Sequence, residues 1–86
     1  MALPKKNRPV SVQQQRVVKF IILGYSYNDG CAEMGIQYST FITHVNRLRM
    51  RYHCDTKTEI VVEALQDGFT CNTSTRQVFY NGKVIL

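Results

Sequence analysis

Short helical segments with clear boundary signals are the feature that most limits what this chain of 86 residues can fold into. Ser11 and Thr56 each stand three residues before a glutamine or glutamate, the spacing of a helix capping box, and Ser26 is a further capping candidate. Glycines that can end a helix follow three of the segments, at Gly24, Gly35 and Gly68. With the apolar periodicity between them, these signals predict four helices, over residues 12–23, 27–34, 38–52 and 57–67.

The third and longest of these helices is amphipathic. Its apolar residues recur at i, i+4, i+7 and i+11, and they are Phe41, Val45, Leu48 and Tyr52. At about 100° per residue this spacing forms one narrow stripe, which we expect to be buried. The opposite face is expected to be exposed and consists of Ser39, Thr43, Asn46, Arg47 and Met50.

The C-terminal residues differ in kind from the helical part. Residues 77–80 and 83–86 are rich in apolar side chains and flank Asn81-Gly82, the strongest two-residue signal for a β-hairpin turn. A lone hairpin is marginal in water, so this one must pack on its own domain or on a second copy. We favour the second copy, with the tail strengthening a homodimer.

The predicted fold class is therefore mainly α, with four helices and a short C-terminal β-hairpin. Residues 1–9 contain three cations and two prolines and are interpreted as a flexible basic arm. Residues 10–69 form the helical domain and residues 70–86 form the hairpin extension.

The distribution of charge indicates an anionic partner. The net charge is +5, and none of the six acidic residues falls between Met34 and Cys54, the stretch that holds Arg47, Arg49 and Arg51. A protein surface that approaches phosphates must be free of negative charge. The third helix is thus the natural candidate for contact with nucleic acid.

Other functional classes have little support in the sequence. No nucleophile–base or paired-carboxylate arrangement is recognisable, so we expect no enzyme. The three cysteines include no Cys-x-x-Cys pair, which suits a reducing, cytoplasmic setting. A zinc site from His44, His53 and Cys54 is conceivable, but the spacings match no common finger, and we expect neither metal nor cofactor. No apolar run approaches the length of a membrane span.

A short helix, a tight turn at Gly35-Ile36-Gln37 and an amphipathic helix together predict a helix-turn-helix. Val10 through Gly68 also resembles, without gaps, the DNA-binding domain of the LuxR (GerE) family of bacterial regulators. The residues that carry the resemblance are Val17-Val18, Gly24-Tyr25-Ser26, Cys31-Ala32, Met34-Gly35-Ile36, Thr40, Thr43-His44-Val45, Leu48, Thr58-Glu59 and Ala64.

The resemblance implies a four-helix domain with its third helix in the major groove and dimerisation through the fourth. By position, the family's base and phosphate contacts fall on Thr40, Ile42, Thr43, Asn46 and Arg47. Three positions depart from the family pattern. Ile42 stands where a lysine or arginine is frequent, Gly30 where a core aliphatic residue is usual, and His53-Cys54 where Gly-Val is usual.

The chemistry of the side chains suggests a role for each candidate. Arg47 suits a phosphate or a guanine, while Thr43 and Asn46 could read bases or be merely exposed. Ile42 could touch a thymine methyl group, face the core or face a partner protein. Hydroxyls near the helix start suit either a phosphate or a cap; these are Ser39 and Thr40. Two further cations are interpreted as phosphate clamps, Arg51 and Lys57.

The sequence therefore predicts a cytoplasmic, nucleoid-associated transcription regulator that binds specific sites on double-stranded DNA as a homodimer. The alternative is a degenerate helix-turn-helix protein that acts by protein contact, pairing with a full-length regulator and blocking it. The apolar side chains of Ile42 and Met50 on the third helix favour that alternative, and the arginines favour DNA.

Overall fold

The computed structural model describes residues 9–86, which form four helices followed by a small sheet. The elements are α1 (Val12–Ile22), α2 (Tyr27–Met34), α3 (Tyr38–Tyr52), α4 (Lys57–Gln66), β1 (Phe69–Asn72), β2 (Gln77–Tyr80) and β3 (Lys83–Val84). All four predicted helices are confirmed, and α1 and α4 each end one residue earlier than predicted. The predicted N-terminal arm lies outside the described residues except for Pro9. None of the helices within residues 9–86 is both long and apolar enough to cross a membrane.

The predicted caps begin three of the helices. The hydroxyl of Ser26 accepts a hydrogen bond from the amide of Asp29 at 3.1 Å, and Thr56 forms a complete capping box with Glu59. At Ser11 only the first half of the predicted box forms, since its hydroxyl accepts from the amide of residue 14 at 3.3 Å. The neighbouring Gln15 instead donates from Nε2 to the carbonyl oxygen of the residue before Ser11, at 2.7 Å. These local bonds explain why the helix starts were readable from the sequence.

The core lies where α1, α3 and α4 meet the sheet. The predicted apolar stripe of α3 is buried along its whole length, with exposures between 0% and 4% for Phe41, Val45, Leu48 and Tyr52. The partners from the other elements are also at most 3% exposed, and they are Val17, Val18, Ile21, Ile60, Ala64, Phe69 and Val78. The helical phase inferred for α3 is therefore confirmed.

Gly30 in α2 is a site of close packing. A Cβ atom built on Gly30 would lie 2.8 Å from Cζ of Phe41 and 2.9 Å from its Cε2, closer than real contacts allow. A glycine at this position thus has a steric reason, since the Phe41 ring occupies the space that a side chain on α2 would need.

The C-terminal part is a three-stranded antiparallel sheet in the order β1-β2-β3, where we predicted a two-stranded hairpin. The turn between β2 and β3 is as predicted, with positive φ at both Asn81 (51°) and Gly82 (83°). The additional strand β1 pairs Phe69 with Tyr80 and continues to Asn72 opposite Gln77. It was missed because it is only four residues long and holds one large apolar side chain, so it shows no alternating pattern.

The sheet packs against the chain's own helices. Phe69, Val78 and Ile85 are at most 5% exposed and belong to the helical core. The hydroxyl of Tyr80 accepts a hydrogen bond from the amide of Val10 at 3.1 Å, so β2 is joined to the residues that precede α1. The sheet therefore packs on its own domain, which is the alternative to packing on a second copy. Val84 and Leu86 stay 43% and 87% exposed, and the strengthening of a homodimer by the tail stays a prediction.

Candidate nucleic-acid interface

Burial of one side of α3 turns its opposite side to the solvent. All five residues of the predicted polar face are exposed, and Thr40 in the first turn is exposed as well; the five are Ser39, Thr43, Asn46, Arg47 and Met50. Ile42 and Arg49 flank this face on one side and are half-buried, as is His44 on the other. We call the face formed by residues 39, 40, 42, 43, 46 and 47 the α3 face.

The first turn of α3 offers backbone donors. The helix follows Gln37, whose side chain makes no capping hydrogen bond, and the first amide to bond backward is that of Phe41, to the carbonyl of Gln37 at 3.0 Å. Neither Ser39 nor Thr40 caps the helix, contrary to the capping alternative. The amides ahead of Phe41 therefore have no intrahelical acceptor and, with the positive end of the helix dipole, form an environment that suits an anion.

Arg47 is the cation of the α3 face that is available for contact. Its side chain is exposed and forms no hydrogen bond or ion pair with any of residues 9–86. The other two polar candidates have local partners. Thr43 donates its hydroxyl to the carbonyl of Ser39 at 3.0 Å, and Asn46 accepts at Oδ1 from Arg49 at 3.2 Å.

The contact between Arg49 and Asn46 was not foreseen, although the i, i+3 spacing on one helix is the signal that could have indicated it. This hydrogen bond uses one lone pair of Oδ1 of Asn46. Arg49 does not engage the second lone pair or the two hydrogens of the amide nitrogen. The side chain of Asn46 can therefore still donate one hydrogen bond and accept another at the same time. The bond from Arg49 orients the amide so that its oxygen points toward Arg49.

Arg51 occupies a different environment at the C-terminal end of the same helix. Its Nε and Nη2 atoms donate to Oδ2 of Asp67 at 3.0 and 2.9 Å, and the two side chains are only 11% and 9% exposed. The hydroxyl of Tyr52 donates to the same oxygen at 2.8 Å. Burial alone would lower the pKa of Arg51, but the hydrogen bond and charge of Asp67 outweigh it and raise the pKa. Burial, and then the carboxylate, raise the pKa of Tyr52.

Lys57, the second cation interpreted as a phosphate clamp, is also engaged within the fold. Its Nζ atom donates to the carbonyl oxygen of Tyr25 at 2.7 Å and lies 5.1 Å from the ring centroid of Tyr27. The side chain thus joins the start of α4 to the loop between α1 and α2. The structure brings six of the eight predicted site residues together on the α3 face and gives Arg51 and Lys57 partners elsewhere.

His44 lies beside the α3 face and is half-buried. Its Nδ1 atom is enclosed without a hydrogen-bond partner among the described residues. Burial, and then the nearby charge of Arg47, lower the pKa of His44. Within residues 9–86 no group of three or more potential ligands is placed to hold a metal ion, and the three cysteines are free thiols.

No protein-family model matches this chain, and no curated protein or solved structure is significantly similar to it.

Proposed function

We propose that this protein is a transcription regulator of the LuxR type, which binds specific sites on double-stranded DNA by placing α3 in the major groove. The observation that carries the proposal is the α3 face, where the exposed guanidinium of Arg47, which has no partner among residues 9–86, lies opposite a fully buried apolar stripe. A helix with one face fixed in a core and the other polar and free of acidic residues fits the groove in shape and in charge.

The proposed contacts follow from the donors and acceptors on the α3 face. Arg47 makes two hydrogen bonds to O6 and N7 of a guanine, and Asn46 pairs with N6 and N7 of an adenine. Ile42 lies against a thymine methyl group. The hydroxyls and free amides of the first turn of α3 bind a backbone phosphate, which fixes the register of the helix along the groove.

We further propose that the protein binds DNA as a homodimer through α4. Val62 and Leu65 lie three positions apart on α4 and are 49% and 48% exposed, so they share one open helix face. Two copies joined by this face would present two α3 helices to successive major grooves. Their half-sites would then be separated by about one helical turn of DNA, roughly 34–36 Å.

The test is selection of duplex fragments from a random library, followed by titration of the selected duplex at several salt concentrations. We expect log K to fall with log salt by about 0.9 for each neutralised phosphate. Arg47→Ala should weaken binding to the selected site far more than to random duplex. Lys83→Ala removes the same charge from the exposed end of the sheet and serves as the matched control. No enrichment of any fragment, or equal losses in both variants, would contradict sequence-specific readout.

A second candidate function is protein contact with a full-length regulator. It is favoured by Met50, which lies on the exposed side of α3 and is 73% exposed. In that case the isolated protein would bind no duplex with salt-dependent affinity. It would instead lower the DNA affinity of the regulator with which it pairs, and Met50→Gln would relieve the inhibition.

A further inference from the structure

A groove with a volume of about 500 Å³ separates the N-terminal half of α1 from the last strand. Val12, Gln15 and Arg16 line it from α1, and residues 83–86 line it from the sheet. Since four consecutive residues of the last strand and its continuation contribute, the groove follows the edge of that strand and not one of its faces. None of these residues belongs to the α3 face or to the exposed face of α4.

The edge beside this groove has open backbone hydrogen-bonding groups. The strand order β1-β2-β3 leaves β3 with a neighbour on one side only within residues 9–86. Ile85 donates its amide to the carbonyl of Val78 at 2.8 Å, toward β2. Because backbone groups alternate direction along a strand, the N–H and C=O of Val84 point away from β2. An open edge beside a helix is the geometry in which an extended peptide adds to a sheet.

The side chains around the groove are apolar and basic. Val12, Val84 and Leu86 are 70%, 43% and 87% exposed, a concentration of open apolar surface at one place. Arg16 and Lys83 supply positive charge, and no acidic residue is among the lining residues. The Nε atom of Arg16 is enclosed without a hydrogen-bond partner among the described residues. The groove therefore offers apolar contact together with two cations for which residues 9–86 provide no carboxylate side chain.

We propose that this groove binds an extended acidic peptide segment of a partner protein, which adds to the free edge of β3. The backbone of the segment pairs with Val84, an apolar side chain of the segment lies between α1 and the strand, and its carboxylates pair with Arg16 and Lys83. A second copy of this chain is the weaker occupant, because edge-to-edge pairing of two β3 strands would bring like charges together. Duplex DNA would leave the apolar lining without a partner. The proposal does not depend on DNA binding by α3.

The experiment uses the full chain and a fluorescein-labelled octapeptide of alternating glutamate and valine. The control peptide has lysine in place of each glutamate. We expect the acidic peptide to bind more tightly by at least about tenfold, because its charges complement the groove. Amide NMR shifts should change at residues 12–16 and 83–86 and not on α3 or α4.

Two pairs of variants separate the backbone and charge contributions. Val84→Pro removes the outward N–H but keeps the bond from residue 85 to β2, and prolines are tolerated on edge strands. Val84→Thr keeps the N–H and is its control. Arg16→Glu reverses a lining charge, and Lys19→Glu makes the same change on α1 at a residue that does not line the groove. We expect Val84→Pro and Arg16→Glu each to weaken acidic-peptide binding by roughly tenfold. Val84→Thr, which keeps the N–H but replaces one methyl group of the lining by a hydroxyl, should weaken binding clearly less than Val84→Pro, and Lys19→Glu should bind as the unaltered chain does.

Several results would overturn the proposal. Equal binding of the two peptides would remove the charge argument, and NMR shifts confined to α3 or α4 would place the peptide elsewhere. A change in the sedimentation of the chain alone on Val84→Pro would assign the edge to a second copy. Binding of laurate that Arg16→Glu abolishes and Val84→Pro leaves intact, with no binding of the acidic peptide, would assign the groove to an acyl carboxylate.

Discussion

Arg47 and Arg51 lie one turn apart on α3, carry the same side chain and have opposite surroundings. Arg47 is exposed and has no partner among residues 9–86, whereas Arg51 is nearly buried and donates twice to Asp67. The difference comes from the residue at the end of α4, sixteen positions along the chain from Arg51. In a basic segment, the number of arginines therefore overstates the charge that a ligand can reach, because a distant carboxylate can neutralise one of them.

The two ends of α3 thus differ in their contacts with the rest of the fold. The C-terminal end, with Arg51, Tyr52 and Asp67, fastens α3 to the end of α4. The N-terminal two-thirds carry the α3 face, which we propose contacts DNA. Substitutions at the first end should change stability, and those at the second should change binding.

The largest expected effect comes from removing the carboxylate of Asp67, which accepts the hydrogen bonds at the C-terminal end of α3. Asp67→Ala leaves the guanidinium of Arg51 and the hydroxyl of Tyr52 without their acceptor in a site that solvent hardly reaches. We expect the free energy of unfolding to fall by about 3 kcal/mol, as when one member of a buried pair is removed. Urea denaturation followed by circular dichroism measures it. Asp55→Ala, at an exposed acid, is the control and should change little; an equal loss in both would refute the distinction.

The second prediction concerns Arg47, on the exposed N-terminal part of α3. Arg47→Ala should weaken binding to the selected duplex by about 1–3 kcal/mol if the side chain contacts a base, and should leave the unfolding transition unchanged. Arg51→Ala should do the reverse at a temperature where both variants are folded. Fluorescence anisotropy titrations, paired with thermal melts, compare the two. A loss of DNA affinity in Arg51→Ala as large as that in Arg47→Ala would show that the ion pair opens for phosphate.

A smaller effect is expected at Lys57, the other engaged cation. Lys57→Met keeps an apolar stem of similar length but removes the donor to the carbonyl of Tyr25. We expect a loss of about 1 kcal/mol in unfolding free energy, the usual value of one hydrogen bond. The salt dependence of DNA binding should not change. A shallower salt slope, by about one neutralised phosphate, would restore this residue to the interface.

The smallest effect is electrostatic and concerns His44. Its pKa lies below the ordinary value of 6.5, first because of burial and second because of the charge of Arg47. Since the folded state holds the neutral form, this histidine contributes stability fully above pH 6.5, and the contribution is lost as the pH falls from 6.5 toward the folded pKa. Arg47→Gln should move the pKa upward in an NMR titration of the imidazole, while Lys83→Gln should not. No movement in Arg47→Gln would mean that burial acts alone.

The helices could be predicted because their signals are local. Hydroxyl caps lie three residues from the amides that they bind, and the α3 stripe repeats with the helical period, so neither depends on the rest of the chain. The α3 face followed directly, since burial of the stripe determines which residues are exposed. The partner of Arg51 could not be predicted, because Asp67 approaches it only after α4 has folded back. β1 was not predicted because its residues become a strand by pairing with β2, and they show no alternating apolar pattern in the sequence.

Gly30 and Phe41 pack so closely that the side chains at these two positions compete for the same space. A Cβ on α2 and the present ring on α3 cannot coexist, because they would lie 2.8 Å apart. A larger residue at position 30 therefore requires the side chain at position 41 to shift or to be smaller. In related chains we expect the two sites to vary together, with an aliphatic residue on α2 accompanied by a smaller side chain on α3. Such covariation would be direct evidence that α2 and α3 pack against each other at these two positions.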